Sequence, residues 1–219
     1  MQTQSQLKET SSAAHNGRAS IRRAVPISLG SSPATFYTFR NLSDPQEHIA
    51  IAFGNWARQA SPLVRIHSEC LTGDIFQSSR CDCGKQLHEA LEKMKRTGGL
   101  LIYLRQEGRG IGLYSKLDAY VLQDQGWNTY EANRLLNYPP DARNYAVAAE
   151  MLSCLGVFNI QLITNNPDKR RQIEAHGISV AKRVSTGVFL TLHNGHYLAA
   201  KRSHGKHDLD LPTMERSDP

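Results

Sequence analysis

Residues 85–104 read KQLHEALEKMKRTGGLLIYL, and the hydrophobic period changes inside this stretch. Leu87, Ala90, Leu91 and Met94 recur at helical spacing, which places them on one face of an amphipathic helix. Gly98 supplies the stop such a helix needs. LLIYL (100–104) is apolar at consecutive positions and reads as a buried strand. Upstream, AVPISLG (24–30), TFYTFR (35–40), HIAIAFG (48–54) and SPLVRIHS (61–68) are short β-like runs punctuated by Gly, Pro and Ser. Downstream, helices are predicted over 113–126 and 143–156, and a strand over 160–164. A further helix lies within 165–177, where Asn166 caps, Pro167 occupies the first turn and Gly177 ends it. Strands first and β/α alternation afterwards predict one mixed α/β (α+β) domain over 24–205, with an antiparallel β-rich N-terminal part.

Residues 1–23 are polar, Ser-rich and poor in acids, with no apolar core, so they do not read as a secretory signal. They are expected to form a disordered leader, with an organelle transit peptide as the alternative; residues 206–219 are expected to be a flexible tail. The chain has 219 residues, 40% hydrophobic and 21% charged, close to the globular average. No apolar run approaches a membrane span, so no membrane partner is expected and the location is read as cytoplasmic. A net charge of +6 favours anionic partners, whether nucleotide phosphates or nucleic acid.

Three of the four cysteines fall within RIHSECLTGDIFQSSRCDCG (65–84). Such clustering suits metal binding better than cross-linking, and alternate residues of an extended Cys-x-Cys run point to opposite faces. Cys70, Cys81 and Cys83 are the candidate zinc ligands. Three thiolates leave the fourth position open, as a catalytic zinc requires, whereas His67 as a fourth ligand makes the site structural and closed. Three inert thiols are the remaining reading. Cys154 sits in the apolar MLSCLG and reads as a packed core thiol.

RQEGRGIGL (105–113) follows the LLIYL strand, where Gly108, Gly110 and Gly112 let backbone N–H groups approach phosphates and Arg105 and Arg109 add charge. No Walker A pattern is present. Glu107 is read either as an acceptor for the donor edge of a guanine or as the partner of a neighbouring arginine. Asp141, in PPDARNY (139–145), reads locally as a helix N-cap, with Arg143 a solvated helix residue. Thr164 and Lys169 flank a strand end and a helix start, which suits a phosphate site and an ordinary surface equally.

HSECLTGD, RCDCG, RQEGRGIGL, LQDQG, T-x-EAN, D-x-R and TNNP-x-K, in this order over residues 60–205, closely resemble GTP cyclohydrolase II of the stand-alone type, and NGHYLAAKRSHGKH resembles that family's ending. The resemblance implies hydrolysis of GTP to 2,5-diamino-6-(5-phosphoribosylamino)pyrimidin-4-one with release of formate and pyrophosphate, the first step of riboflavin synthesis. It implies one zinc per chain on Cys70, Cys81 and Cys83 with a water completing the set, and Mg²⁺ with the GTP phosphates. It assigns Arg65, Ile66, His67, Ser68 and Glu69 to one GTP-binding segment, which takes His67 out of the metal site. Gln86, then Glu107, Gly108 and Arg109, then Thr129, Thr164 and Lys169 complete the GTP contacts. Asp141 becomes the proton acceptor, Arg143 the nucleophile and Tyr120 a positioning residue. A homodimer is implied. The alternatives are a homologue that opens the ring without deformylation, or one that supplies a specialised metabolite. A zinc-stabilised nucleic-acid module would carry stacking aromatics beside its basic groups and a second metal pair, and neither is apparent.

Overall fold

The computed structural model describes residues 17–139 and 141–191, with 194, 195 and 198. Its strands are β1 (Ser20–Pro26), β2 (Ala34–Arg40), β3 (Ile49–Phe53), β4 (Leu63–Ser68), β5 (Gly99–Leu104), β6 (Asn159–Ile163) and β7 (Ser179–Val184). They form one sheet in the order β1-β2-β3-β5-β4-β6-β7. β1, β2, β3 and β5 pair antiparallel, whereas β5, β4, β6 and β7 run parallel. The expected mixed domain is therefore built on a single sheet, with β5 shared by its two halves.

The helices are α1 (Leu71–Asp74), α2 (Cys83–Thr97), α3 (Leu113–Asp124), α4 (Thr129–Leu135), α5 (Ala146–Cys154) and α6 (Pro167–Ala175). Alternation along the strands sorts the core into two layers. Val64, Ile66, Leu100, Ile102 and Leu104 face Met151, Leu152 and Ile173 of α5 and α6. Ile51, Phe53, Leu101 and Ile163 face Ala90 and Met94 of α2. The helix after β4 thus covers one face and the helix after β6 the other. β4 and β6 are neighbours, so their outgoing loops diverge and leave a crevice at the carboxyl ends of the parallel strands.

Several boundaries differ from the sequence reading. β1 opens at Ser20, inside the expected leader, because Ser20–Arg23 pair with Thr38–Arg40 of β2. Residues 1–16 and the expected tail lie outside the described residues, as does almost all of NGHYLAAKRSHGKH. The helix expected from 143 begins at Ala146, and the side chain of Asn144, not Asp141, accepts from Ala146 N at 2.8 Å. α4 and β7 were not expected. α4 is short and begins on a capping box of Asn128 and Glu131. β7 is an edge strand with Val180 its only buried residue, so its hydrophobic alternation is faint. Among the described residues, no helix is long and apolar enough to cross a membrane.

α2 reaches the crevice by close approach to α1. A Cβ on Gly84 would lie 2.1 Å from the carbonyl oxygen and 2.9 Å from the carbonyl carbon of Gly73, both backbone atoms with little room to yield. Gly84→Ala is expected to push the first turn of α2 away, lowering unfolding free energy by about 1–3 kcal/mol. Denaturant titration checks this, and a native midpoint would show that α1 and α2 do not need that contact.

Candidate active site

The crevice lies where β4, β5 and β6 end. Its lining includes Arg65, His67, Ser68, Glu69, Gln86, Gly108, Thr129 and Thr164. The three clustered cysteines, Glu107, Arg109, Tyr120, Arg143 and Lys169 line it as well. Two of the expected residues are elsewhere. Ile66 is fully buried in the core, and Asp141 reaches the site only through Arg143.

Cys70 follows β4, and Cys81 and Cys83 straddle the start of α2. Their Sγ atoms all lie within 4.8 Å of one another, and the Cys70–Cys81 separation is 3.6 Å, far beyond a disulfide bond. Two residues of a Cys-x-Cys run can face one point because Asp82 is not extended (φ −101°, ψ 9°). Gly73 completes the cradle, since a Cβ there would stand 2.8 Å from Cys81 Sγ. Hydrogen bonds from Cys81 and Cys83 hold the Cys70 thiol down at about 3, against the opposing effect of burial, with Lys116 adding to the depression. The same bonds push Cys81 up. Converging soft donors with one thiolate already favoured suit a thiophilic divalent cation, and zinc fits.

His67 stands outside this cluster. Its Nε2 meets both carboxylate oxygens of Asp74 at 3.1 Å, and its ring stacks on Tyr103 with centroids 5.6 Å apart. Asp74 in turn accepts from Tyr103 OH at 2.9 Å and from Cys70 N at 3.1 Å. His67 therefore orients the backbone of a thiol-bearing residue, and the cluster keeps three protein donors.

The loop after β5 joins the parts of the site. Gly108, Arg109 and Gly110 have φ of 61°, 60° and 90°, so a non-glycine residue holds a left-handed conformation at the tip. The buried Glu107 carboxylate accepts from Leu71 N at 2.6 Å, Gly108 N at 2.7 Å and Lys116 Nζ at 2.9 Å. Its ionic partner is thus Lys116 and not an arginine. Lys116 spends its other donors on Cys70 Sγ at 3.2 Å and Thr72 Oγ1 at 2.9 Å. Burial pulls its ammonium down, but the charge of Cys70 and the hydrogen bond and charge of Glu107 hold it above the usual lysine value. Lys116 escaped the sequence reading. The available signal was its place beside Ala119 on the buried face of α3, where a lysine needs partners.

Arg109 lies over the Tyr130 ring at 4.4 Å, and its Nη1 is buried without a hydrogen-bond partner among the described residues. Its carbonyl accepts from Ala142 N at 3.0 Å, which docks the segment carrying Asp141 and Arg143. Arg143 donates to Asp141 through its backbone N (3.1 Å), Nε (2.8 Å) and Nη2. Burial alone would raise the Asp141 carboxyl; the bonds and charge of Arg143, with Arg109, instead hold it below the usual carboxylate value. The N-cap reading of Asp141 is replaced by this fork.

Arg65 is buried and donates to Ile163 O at 3.2 Å and Gln86 Oε1 at 3.0 Å. Lys169, also buried, donates to Ile66 O at 2.8 Å and lies 5.0 Å from the Tyr145 ring centroid. Thr164 Oγ1 accepts from Asn166 N at 2.9 Å, fixing the turn into α6. Burial raises the Tyr120 phenol to about 12 even though Lys116 opposes it, so the hydroxyl stays protonated at neutral pH.

The GTP cyclohydrolase II family model matches residues 18–185. The GTP cyclohydrolase-2 of Vibrio cholerae is 50% identical over 197 residues, covering 88% of this chain and 100% of that protein. That of Vibrio parahaemolyticus is equally similar over the same shares. The riboflavin biosynthesis protein RibBA of Bacillus velezensis is 49% identical over 185 residues, 83% of this chain and 46% of that larger protein. With a thiol cluster, an arginine-tipped glycine loop and an Asp–Arg fork meeting in one crevice, and similarity along most of its length, the chain belongs to the GTP cyclohydrolase II family.

Proposed function

We propose that this chain catalyses the GTP cyclohydrolase II reaction of riboflavin biosynthesis, converting GTP to 2,5-diamino-6-(5-phosphoribosylamino)pyrimidin-4-one, formate and pyrophosphate. The observation that carries the reading is the meeting of the three thiols with the 107–109 loop and the Asp141–Arg143 fork in one crevice. Cys70, Cys81 and Cys83 would hold zinc, which supplies Lewis acidity and brings a water's pKa from 15.7 to about 7.

The chain's own residues divide the remaining work. Glu107 has three of about four acceptor positions filled, and the last, on Oε2, suits a guanine N–H. Arg109, with one buried donor unspent, suits a phosphate oxygen, and Lys169 and Thr164 flank the same region from β6 and α6. Arg65, His67, Ser68, Glu69, Gln86 and Thr129, which line the same crevice, complete the nucleotide contacts. Tyr120 keeps its proton and can donate it in a hydrogen bond beside the thiols. A guanidinium is a poor nucleophile because it retains its proton beyond pH 12. Asp141, ionised and bonded to Arg143 Nε and Nη2, is positioned to take that proton as a guanidine nitrogen bonds to the α-phosphorus. The bond to the β-phosphate oxygen then breaks and pyrophosphate leaves, its charge one that bound Mg²⁺ would neutralise. Water next cleaves the guanidine–phosphorus bond to free the monophosphate, and Asp141 returns its proton to Arg143.

A homodimer and a cytoplasmic location belong to the same reading. Tyr114, Leu117 and Val121 form an exposed apolar stripe along α3, which supports association of two copies.

Three substitutions test these roles. Purified protein is expected to hold about one zinc per chain, and Cys83→Ser to hold substantially less and lose formate release. Native formate release by a zinc-depleted Cys83→Ser protein would remove zinc from the chemistry. Arg143→Lys retains charge but not the planar fork, so pyrophosphate release is expected to fall at least about a hundredfold, as for Arg143→Ala. A native rate in either variant, measured by coupled pyrophosphate assay, would rule out Arg143 as nucleophile.

A further inference from the structure

The antiparallel half of the sheet contributes no residue to the crevice lining, yet one of its side chains reaches the loop that does. His48 immediately precedes β3 and is buried. Its Nδ1 accepts from the backbone N of Arg105 at 3.0 Å, and its Nε2 faces Asp44 Oδ2 at 3.2 Å. A backbone N–H can only donate, so Nδ1 carries no proton and the proton resides on Nε2, which lies near the Asp44 carboxylate without hydrogen-bond geometry to it. Arg105 is the first residue of the loop. Its Nε donates to Glu69 Oε2 at 2.8 Å, while the next residue, Gln106, donates through Nε2 to Asn144 O at 2.7 Å. From that anchored start the loop proceeds to Glu107 and Arg109.

We propose that His48 is a positioning residue for GTP binding, whose neutral imidazole holds the entrance of the 105–110 loop and whose protonation releases it. The inference rests on the reading of that loop as a nucleotide binder. A protonated ring would set two N–H donors against each other across the His48–Arg105 contact, in a place closed to water. The charged groups around the ring are Asp44 on its own loop, Glu150 of α5, Arg105, and Glu47 and Glu69, which face Arg105. Burial lowers the imidazole below its ordinary value, and the carboxylates of Asp44 and Glu150 do not restore it. The sign follows. The folded loop binds a proton less readily than the unfolded chain, so its stabilisation is complete above the ordinary histidine value and lost as pH falls toward the folded value.

The test compares wild type, His48→Asn and His48→Phe for KM and kcat with GTP and saturating Mg²⁺ from about pH 5 to about pH 8. Asn offers Oδ1 where Nδ1 stood and does not titrate. In wild type kcat/KM is expected to fall on the acid side; in His48→Asn that fall moves to lower pH. His48→Phe removes the acceptor, and KM is expected to rise about tenfold at neutral pH, with kcat within about threefold and zinc content unchanged. An acid limb of His48→Asn superimposable on wild type overturns the proposal. So does a His48→Phe enzyme with native KM, or one in which kcat and zinc fall as far as KM rises, since that marks a structural role alone. Arg109→Ala separates the underlying reading. If it leaves KM unchanged, the loop is not the nucleotide binder; if it raises KM while the His48 variants do not, only the role of His48 is lost.

Discussion

The site depends on one buried carboxylate. Glu107 accepts from Leu71 N beside the first thiol, from Gly108 N in its own loop and from Lys116 of α3. Those three bonds fix the thiol-bearing segment, the glycine-rich loop and the helix that carries Tyr120 relative to one another. Lys116 extends the tie to Cys70 Sγ, so one thiol of the cluster and the buried carboxylate of the loop share one cation. Removing one partner of such a buried pair leaves the other charge unpaired, typically at about 3–5 kcal/mol. The arrangement is accordingly stiff where the chemistry needs fixed donors.

The two halves of the sheet have different tasks. The parallel half delivers strand ends, and the divergence of α2 and α6 to opposite faces opens the crevice between β4 and β6. Arg65, the thiols and Lys169 enter it from either side. The antiparallel half shields one flank of β5 and anchors the loop entrance through His48. β5 belongs to both halves, which is why its outgoing loop can couple them.

The thiol cluster was legible because three scarce residues stand close together in sequence, and the helix-to-strand change at 85–104 was legible from period alone. What periodicity could not show was direction and partnership. Asp82 leaves the extended region, and this turns Cys81 and Cys83 toward one point. Asp141 has the local signature of an N-cap, but the fork with Arg143 and the docking of Ala142 on Arg109 outweigh it, and the helix starts five residues later. Of the two readings of Glu107, guanine acceptor or arginine partner, the second came from the arginines that flank it, whereas its ionic partner is Lys116, nine residues on and across a turn. α4 was missed because seven residues are too few for a period to emerge.

Ring opening and loss of pyrophosphate are proposed as two reactions of one crevice, held in register by the Glu107 tie. Incubation of the purified protein with GTP and Mg²⁺, with every product identified by mass and quantified, tests this most directly. Formate, pyrophosphate and the diaminopyrimidinone ribosyl phosphate are expected in equal yield. Pyrophosphate without formate, or GTP left intact, would contradict it.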